Sequence, residues 1–220
     1  MNRFLFAFIP GILLVCFSGS VLSQVAPPAA RATQPFIEFK VGQYKPADAE
    51  DGILFGMSTG RRIDDRLFWG FEGDYFYSSY TRATNVTGGG DTPQFVDFRT
   101  SILTLLFQIY YEARMGPGSF FFRGSGSLGM DMIWDKQQNV GTGISRTDFF
   151  TGFAFQITGG VGWQISRRGL LFFDLLYHGS NFTSGDTVLI DDLPVRRSIN
   201  VSGFGFRGGI NIIGFWFWKW

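Results

Sequence analysis

Apolar residues recur at every second position through most of this chain, and that period governs what it can fold into. In FIEFKVGQY, Ile37, Phe39 and Val41 share one face while Glu38, Lys40 and Gly42 share the other. In RLFWGFEGDYFYSS, Leu67, Trp69, Phe71, Tyr75 and Tyr77 oppose Phe68, Gly70, Glu72, Asp74 and Ser78. FFFRGSGSLGMDM sets Phe120, Phe122, Leu128, Met130 and Met132 against Arg123, Ser125, Ser127, Gly129 and Asp131. FTGFAFQITGGVGWQI sets Phe153, Phe155, Ile157, Val161 and Trp163 against Gly152, Ala154, Gln156, Thr158, Gly160 and Gly162. Side chains alternate between the two faces of a strand, so each segment predicts an amphipathic strand and none a helix.

Turn signals divide the chain into eight strands, approximately 35–44, 52–62, 66–80, 95–113, 119–134, 148–165, 169–182 and 196–220. The connections alternate in length. RIDDR, RMGPGS and SRRG are tight, whereas KPADAED, TRATNVTGGGDTPQ, DKQQNVGTGISRT and TSGDTVLIDDLP are longer. Short turns at one end, longer loops at the other and an even strand count predict an antiparallel up-and-down barrel that crosses a membrane, with its short turns on the periplasmic side.

Volume decides which face points outward. An eight-stranded barrel has an interior just wide enough for side chains to fill, and this chain carries 27 Phe and 6 Trp, too many to pack inside. The opposite faces, rich in Gly, Ser, Thr and Ala with scattered charges, suit a filled interior. The apolar face is therefore assigned to lipid, where a closed barrel satisfies every backbone hydrogen bond.

The start of the chain fits an exported protein. Arg3, an apolar run from Phe4 to Phe17 and the small-residue end Val21-Leu22-Ser23 read as a signal peptide over 1–23. Residues 24–34, Pro- and Ala-rich, read as a flexible lead-in, and 35–220 as the barrel. The single cysteine, Cys16, lies within the apolar run, which excludes a disulfide framework and a cysteine-ligated metal in the mature chain. A formal charge of only +1 argues against a nucleic-acid partner. No cofactor or metal motif is expected. The GGGD run at Gly88–Asp91 lacks the Lys-Ser/Thr of a phosphate loop and reads as a loop tip, and the Asn-x-Ser/Thr triplets at Asn85, Asn181 and Asn200 read as chance matches.

In GFWFWKW, Trp216, Trp218 and Trp220 lie in phase with Phe204, Phe206, Ile210 and Ile212. With Trp69 and Trp163 they are expected to form an interfacial aromatic girdle. This end resembles the C-terminal assembly signal of bacterial outer-membrane proteins, although Gly214 sits one place from the usual spacing. The likeness implies recognition by the barrel assembly machinery. The whole pattern resembles the small eight-stranded outer-membrane barrels of the OmpA and OmpX type, which implies residence among outer-membrane lipid and lipopolysaccharide.

The expected lumen holds Glu38, Lys40, Glu72, Asp74, Arg123, Asp131, Asp174 and Arg207. Buried charges need partners, so these predict an ion-pair and hydrogen-bond network that plugs the interior. Acidic residues such as Asp48, Glu50, Asp186 and Asp191 populate the longer loops, while Arg61, Arg62, Arg66, Arg114, Arg167 and Arg168 gather near the short turns.

One constellation suggests chemistry. His178, the only histidine, begins His178-Gly179-Ser180-Asn181, which resembles the His-x-Ser-Asn motif of PagL-type lipid A 3-O-deacylases. That resemblance implies His178 as base, Ser180 as nucleophile on an ester, and the carboxylate twelve residues on, Asp192, as the group that orients the imidazole. Two features depart from the family: Phe182 stands where its motif has Ala, and His178 and Ser180 share the phase of Asp174, which turns them toward the lumen rather than toward acyl chains. Two readings follow: a non-enzymatic barrel with a structural or surface-interaction role, and a lipid A ester hydrolase using Ser180, His178 and Asp192.

Overall fold

Strands that are apolar on one face and polar on the other leave two unpaired edges unless they close on themselves, and these close. The computed structural model describes residues 34–84, 94–115, 119–183 and 198–214. Its strands are β1 (Pro35–Pro46), β2 (Gly52–Arg62), β3 (Leu67–Thr84), β4 (Gln94–Arg114), β5 (Phe120–Asn139), β6 (Ser145–Gln164), β7 (Gly169–Gly179), β8 (Asn181–Thr183), β9 (Ser198–Asn200) and β10 (Gly203–Ile213). Eight of them form a closed barrel in the order β1-β10-β7-β6-β5-β4-β3-β2, and every pairing is antiparallel. β8 and β9 make a separate two-stranded ribbon. No helix among the described residues is long and apolar enough to cross a membrane.

The register fixes the barrel's dimensions. Stepping across paired residues from Lys45 through Phe204, Tyr177, Ile157, Gly126, Ile109, Trp69 and Arg61 returns to Pro35, ten residues further down β1. Eight strands with a stagger of ten tilt by about 40° and leave a backbone radius of about 8 Å. Such an interior admits one side chain from each wall and no open channel.

The outer face is apolar. Phe39, Phe71, Leu128, Phe153, Leu175 and Phe204 all stand exposed on it. The buried set includes Glu38, Glu72, Asp74, Asp174 and Arg207, the reverse of a water-soluble protein. The barrel is therefore a membrane-spanning one, with its apolar girdle in lipid.

Two features differ from the sequence expectation. First, β3 runs on to Thr84, β5 to Asn139, and β6 begins at Ser145, so the connection expected over 135–147 is largely strand. Only residues 140–144 turn, with Asn139 Oδ1 accepting from the amides of Gly141 and Thr142 at 2.9 and 3.2 Å and Gly143 at φ 71°. The cross-strand pairs Asp135↔Asp148 and Gln137↔Arg146 tie two segments that carry loop-like polar residues, which hid the strand period. Second, the seventh barrel strand stops at Gly179 and the last spans only Gly203–Ile213. Between them the ribbon β8–β9 folds over the barrel mouth, where Ile199 and Val201 are fully buried.

β2 pairs with β3 only as far as Tyr77, and β6 with β7 only as far as Phe155. Above those points β3, β4, β5 and β6 continue as a four-stranded wall, with β8 lying against its β6 edge, where Ser180 Oγ donates to the carbonyl of Phe153. Seven to ten further residues per edge strand carry it about 20 Å beyond the rest of the barrel rim.

Candidate functional site

The lumen is built from the phase that the strands do not give to lipid, and it is layered. Nearest the short turns, Phe36 of β1, Phe68 of β3 and Tyr110 of β4 close it. Phe68 and Tyr110 stack at 4.5 Å, and Phe36 meets both edge-on at 5.9 and 5.3 Å. Near the opposite mouth Tyr44, Leu54, Phe76, Ile102, Ile133 and Leu176 form a second apolar layer, joined from above by Ile199 and Val201. Tyr44 fixes the ribbon from below by donating to the carbonyl of Val201.

Between these layers lies an ion cluster. Arg123 of β5 donates to Glu38 of β1 at 3.0 Å and reaches Asp174 of β7 at 3.3 Å. Arg207 of β10 binds Glu72 and, at 3.0 Å, Asp74, both on β3. Lys40 lies 3.0 Å from Glu72 and 3.7 Å from Glu38. Four carboxylates thus meet three cations, and neutral donors add to two of the four: Asn211 donates to Glu38 at 2.8 Å and Gln156 to Glu72 at 2.9 Å. The guanidinium of Arg123 also lies 3.9 Å over the Phe172 ring, a cation–π contact against its apolar floor. Glycine makes the room: a Cβ at Gly160 would lie 2.5 Å from Asp174 Oδ1, and one at Gly42 would lie 2.8 Å from the Arg207 Cβ.

Asp131 stands apart from this cluster. It accepts from Thr104 at 2.6 Å and holds His178 Nε2 at 2.8 Å, one level above the arginines. A small cavity beside His178, bounded by Tyr44, Asp74, Gln156 and Leu176, offers about 10 Å³, space for one water and no larger ligand.

Of the residues offered for ester hydrolysis, His178 and Ser180 are both buried, at 4% and 5% exposure. They are not joined. His178 is engaged by Asp131, and Ser180 Oγ donates to the carbonyl of Phe153 at 3.3 Å while its amide donates to Ser202 Oγ at 3.0 Å. Asp192 lies outside the described residues, as do Trp216, Trp218, Trp220, the Gly88–Asp91 run and residues 1–33. Trp163 is on the outer face near the short turns, stacked 5.9 Å from Phe120, and Trp69 lies 6.1 Å from Phe107. The sequence reading missed a second outer-face aromatic row near the other rim, where Tyr77 and Trp134 stand exposed and Trp134 meets Phe149 at 5.4 Å. Among the described residues no group of His, Cys, Asp and Glu could hold a metal ion.

No protein-family model and no curated protein sequence matches the chain. Solved structures do. Neisserial surface protein A aligns over 82% of this chain and 97% of its own, at 13% identity and a TM-score of 0.55. A major outer-membrane protein of Thermus thermophilus aligns over 81% and 99%, at 10% identity and a TM-score of 0.48. OprG of Pseudomonas aeruginosa aligns over 82% and 96%, at 14% identity and a TM-score of 0.46. Identity this low bears on the fold alone. On the likeness to the neisserial protein, joined to the apolar exterior and the buried ion cluster, the chain is an eight-stranded membrane barrel with the fold of the small outer-membrane proteins.

Proposed function

We propose that this chain is a non-enzymatic protein of the bacterial outer membrane that presents a surface for interaction, with the four-stranded wall of β3–β6 as the presenting element. The observation that carries the reading is the wall itself. Above Tyr77 its outer strand β3 has no strand partner on that side among the described residues, so backbone donors and acceptors line a free edge. Free edges accept an extended segment of another protein by strand addition. A lumen sealed at both ends supports an anchoring role for the barrel over a transport role.

The hydrolase reading stays second. Its motif residues are spoken for: the imidazole of His178 by Asp131 and the hydroxyl of Ser180 by a backbone carbonyl. Incubating the folded protein with lipopolysaccharide and weighing the lipid A by mass spectrometry, beside Ser180→Ala, separates the two. Unchanged lipid A is expected, and serine-dependent loss of an acyl chain would make the chain an esterase.

The presenting role is tested by shortening the β5–β6 hairpin. Removing residues 134–137 together with 146–149 takes out four paired positions. An even number keeps every remaining side chain on its face. Cells displaying this variant are expected to lose adhesion to immobilised surface proteins that cells with the full wall retain. Equal adhesion by both, or by cells lacking the protein, would contradict the role.

A further inference from the structure

The outer face of the wall carries two cations at facing positions. Arg99 of β4 and Lys136 of β5 are register partners, flanked in the same row by Ser79 and Thr147. Their neighbours Thr100 and Asp135 are buried on the inner face, bonded to each other at 2.8 Å, which turns Arg99 and Lys136 outward. Like charges opposite one another in a sheet repel. Among the described residues neither cation has an ion-pair partner. The carboxylate nearest in sequence on that face, Asp97, sits in the next row up and accepts from Thr81 at 2.6 Å.

What lies beneath the pair identifies its occupant. The next row toward the membrane pairs Tyr77 with Ser101 and Trp134 with Phe149, and the row below that holds Tyr75, Leu103, Met132 and Thr151. Lower still come Leu105, Met130 and Phe153, all exposed on the lipid-facing girdle. The column therefore runs from hydrocarbon through an aromatic row to two cations. That is the order of acyl chains, interface and phosphate in a membrane lipid.

We propose that Arg99 and Lys136 form a binding site for the phosphate of an outer-leaflet phospholipid or phosphorylated glycolipid, whose acyl chains run down the girdle past Leu103 and Met132. A phosphate between the two accepts from both cations, the guanidinium in bidentate fashion, and removes their mutual repulsion. The inference rests on the membrane placement of the barrel and not on the presenting role of the wall.

The test uses the full protein folded into detergent, with retention of added lipid A read by native mass spectrometry. Three probes are compared: lipid A with both phosphates, the same lipid dephosphorylated, and inorganic phosphate. Wild-type protein is expected to hold the phosphorylated lipid at least tenfold more tightly than the dephosphorylated one, and inorganic phosphate weakly. Arg99→Ala/Lys136→Ala is expected to erase that preference, Arg99→Lys to keep most of it, and Arg82→Ala, on the inner face of β3 as register partner of the buried Val96, to leave it intact. Each variant's fold is verified by the gel shift that separates folded from heated barrels. A double variant that folds and still prefers the phosphorylated lipid would overturn the site. Tight binding of inorganic phosphate would overturn its assignment to a lipid. Failure of the wild-type chain to insert into lipid vesicles would instead overturn the membrane placement, and with it this site.

Discussion

Arg123 on β5 and Glu38 on β1 lie four strands apart in an eight-stranded ring, so their 3.0 Å contact spans the full width of the lumen. This pair ties opposite walls together and leaves no passage at its level. Removing one member strands a buried charge, which costs about 3–5 kcal/mol in comparable pairs. Arg123→Ala is expected to lose stability on that scale in urea titrations of the detergent-folded barrel. Arg123→Met combined with Glu38→Gln should lose clearly less than the two single changes summed. Additive losses would show that the pair is not coupled.

The two apolar layers make a prediction about transport. Phe36, Phe68 and Tyr110 close one end, and Tyr44, Phe76 and Leu176 narrow the other. A hydrophobic constriction resists wetting even where a gap exists. Purified protein in planar bilayers is expected to show no steady open level, and a large, stable single-channel current would refute a sealed lumen.

Close approach between register partners on neighbouring strands makes a third. Gly56 of β2 faces the Asp74 carboxylate, and a Cβ there would lie 3.1 Å from its Cγ. Gly56→Val is expected to push Asp74 away from Arg207 and to cost about 1–3 kcal/mol, the usual penalty for overpacking. The comparison is Gly126→Val on the outer face, where a Cβ meets nothing within 4 Å. The first variant should unfold at lower urea than wild type and the second should not, a difference that tryptophan fluorescence resolves.

The barrel was legible because lipid imposes the period of two on every spanning segment. Residues such as Glu38, Glu72, Arg123 and Arg207 were assignable to one phase, but phase says nothing of distance. Which cation meets which carboxylate depends on the stagger of ten, and that emerges only when all eight ladders close. Asp131 illustrates the gap: it shares the phase of the cluster, yet sits high enough to pair with His178 instead. The apolar layers were present in the sequence, since Phe36, Phe68, Phe76 and Leu176 carry the same phase as the charges, but a contrast drawn between apolar and polar faces passes over them. The wall was hidden for a different reason. Above the girdle polar residues stand on both faces of β5, Asp135 and Gln137 on the inner and Lys136 and Gln138 on the outer, so the alternation fades while the pairing continues.

The central claim is that one phase of each strand meets lipid and the other meets the sealed lumen. Two pairs of adjacent leucines test it without altering the protein. Leu105 is 49% exposed and Leu106 2%, and Leu175 is 63% exposed and Leu176 3%. In methyl-labelled protein folded in detergent micelles, nuclear Overhauser effects from the detergent acyl chains should reach the methyls of Leu105 and Leu175 and be absent at Leu106 and Leu176. Acyl-chain contacts at Leu106 and Leu176, or at all four leucines alike, would contradict the account.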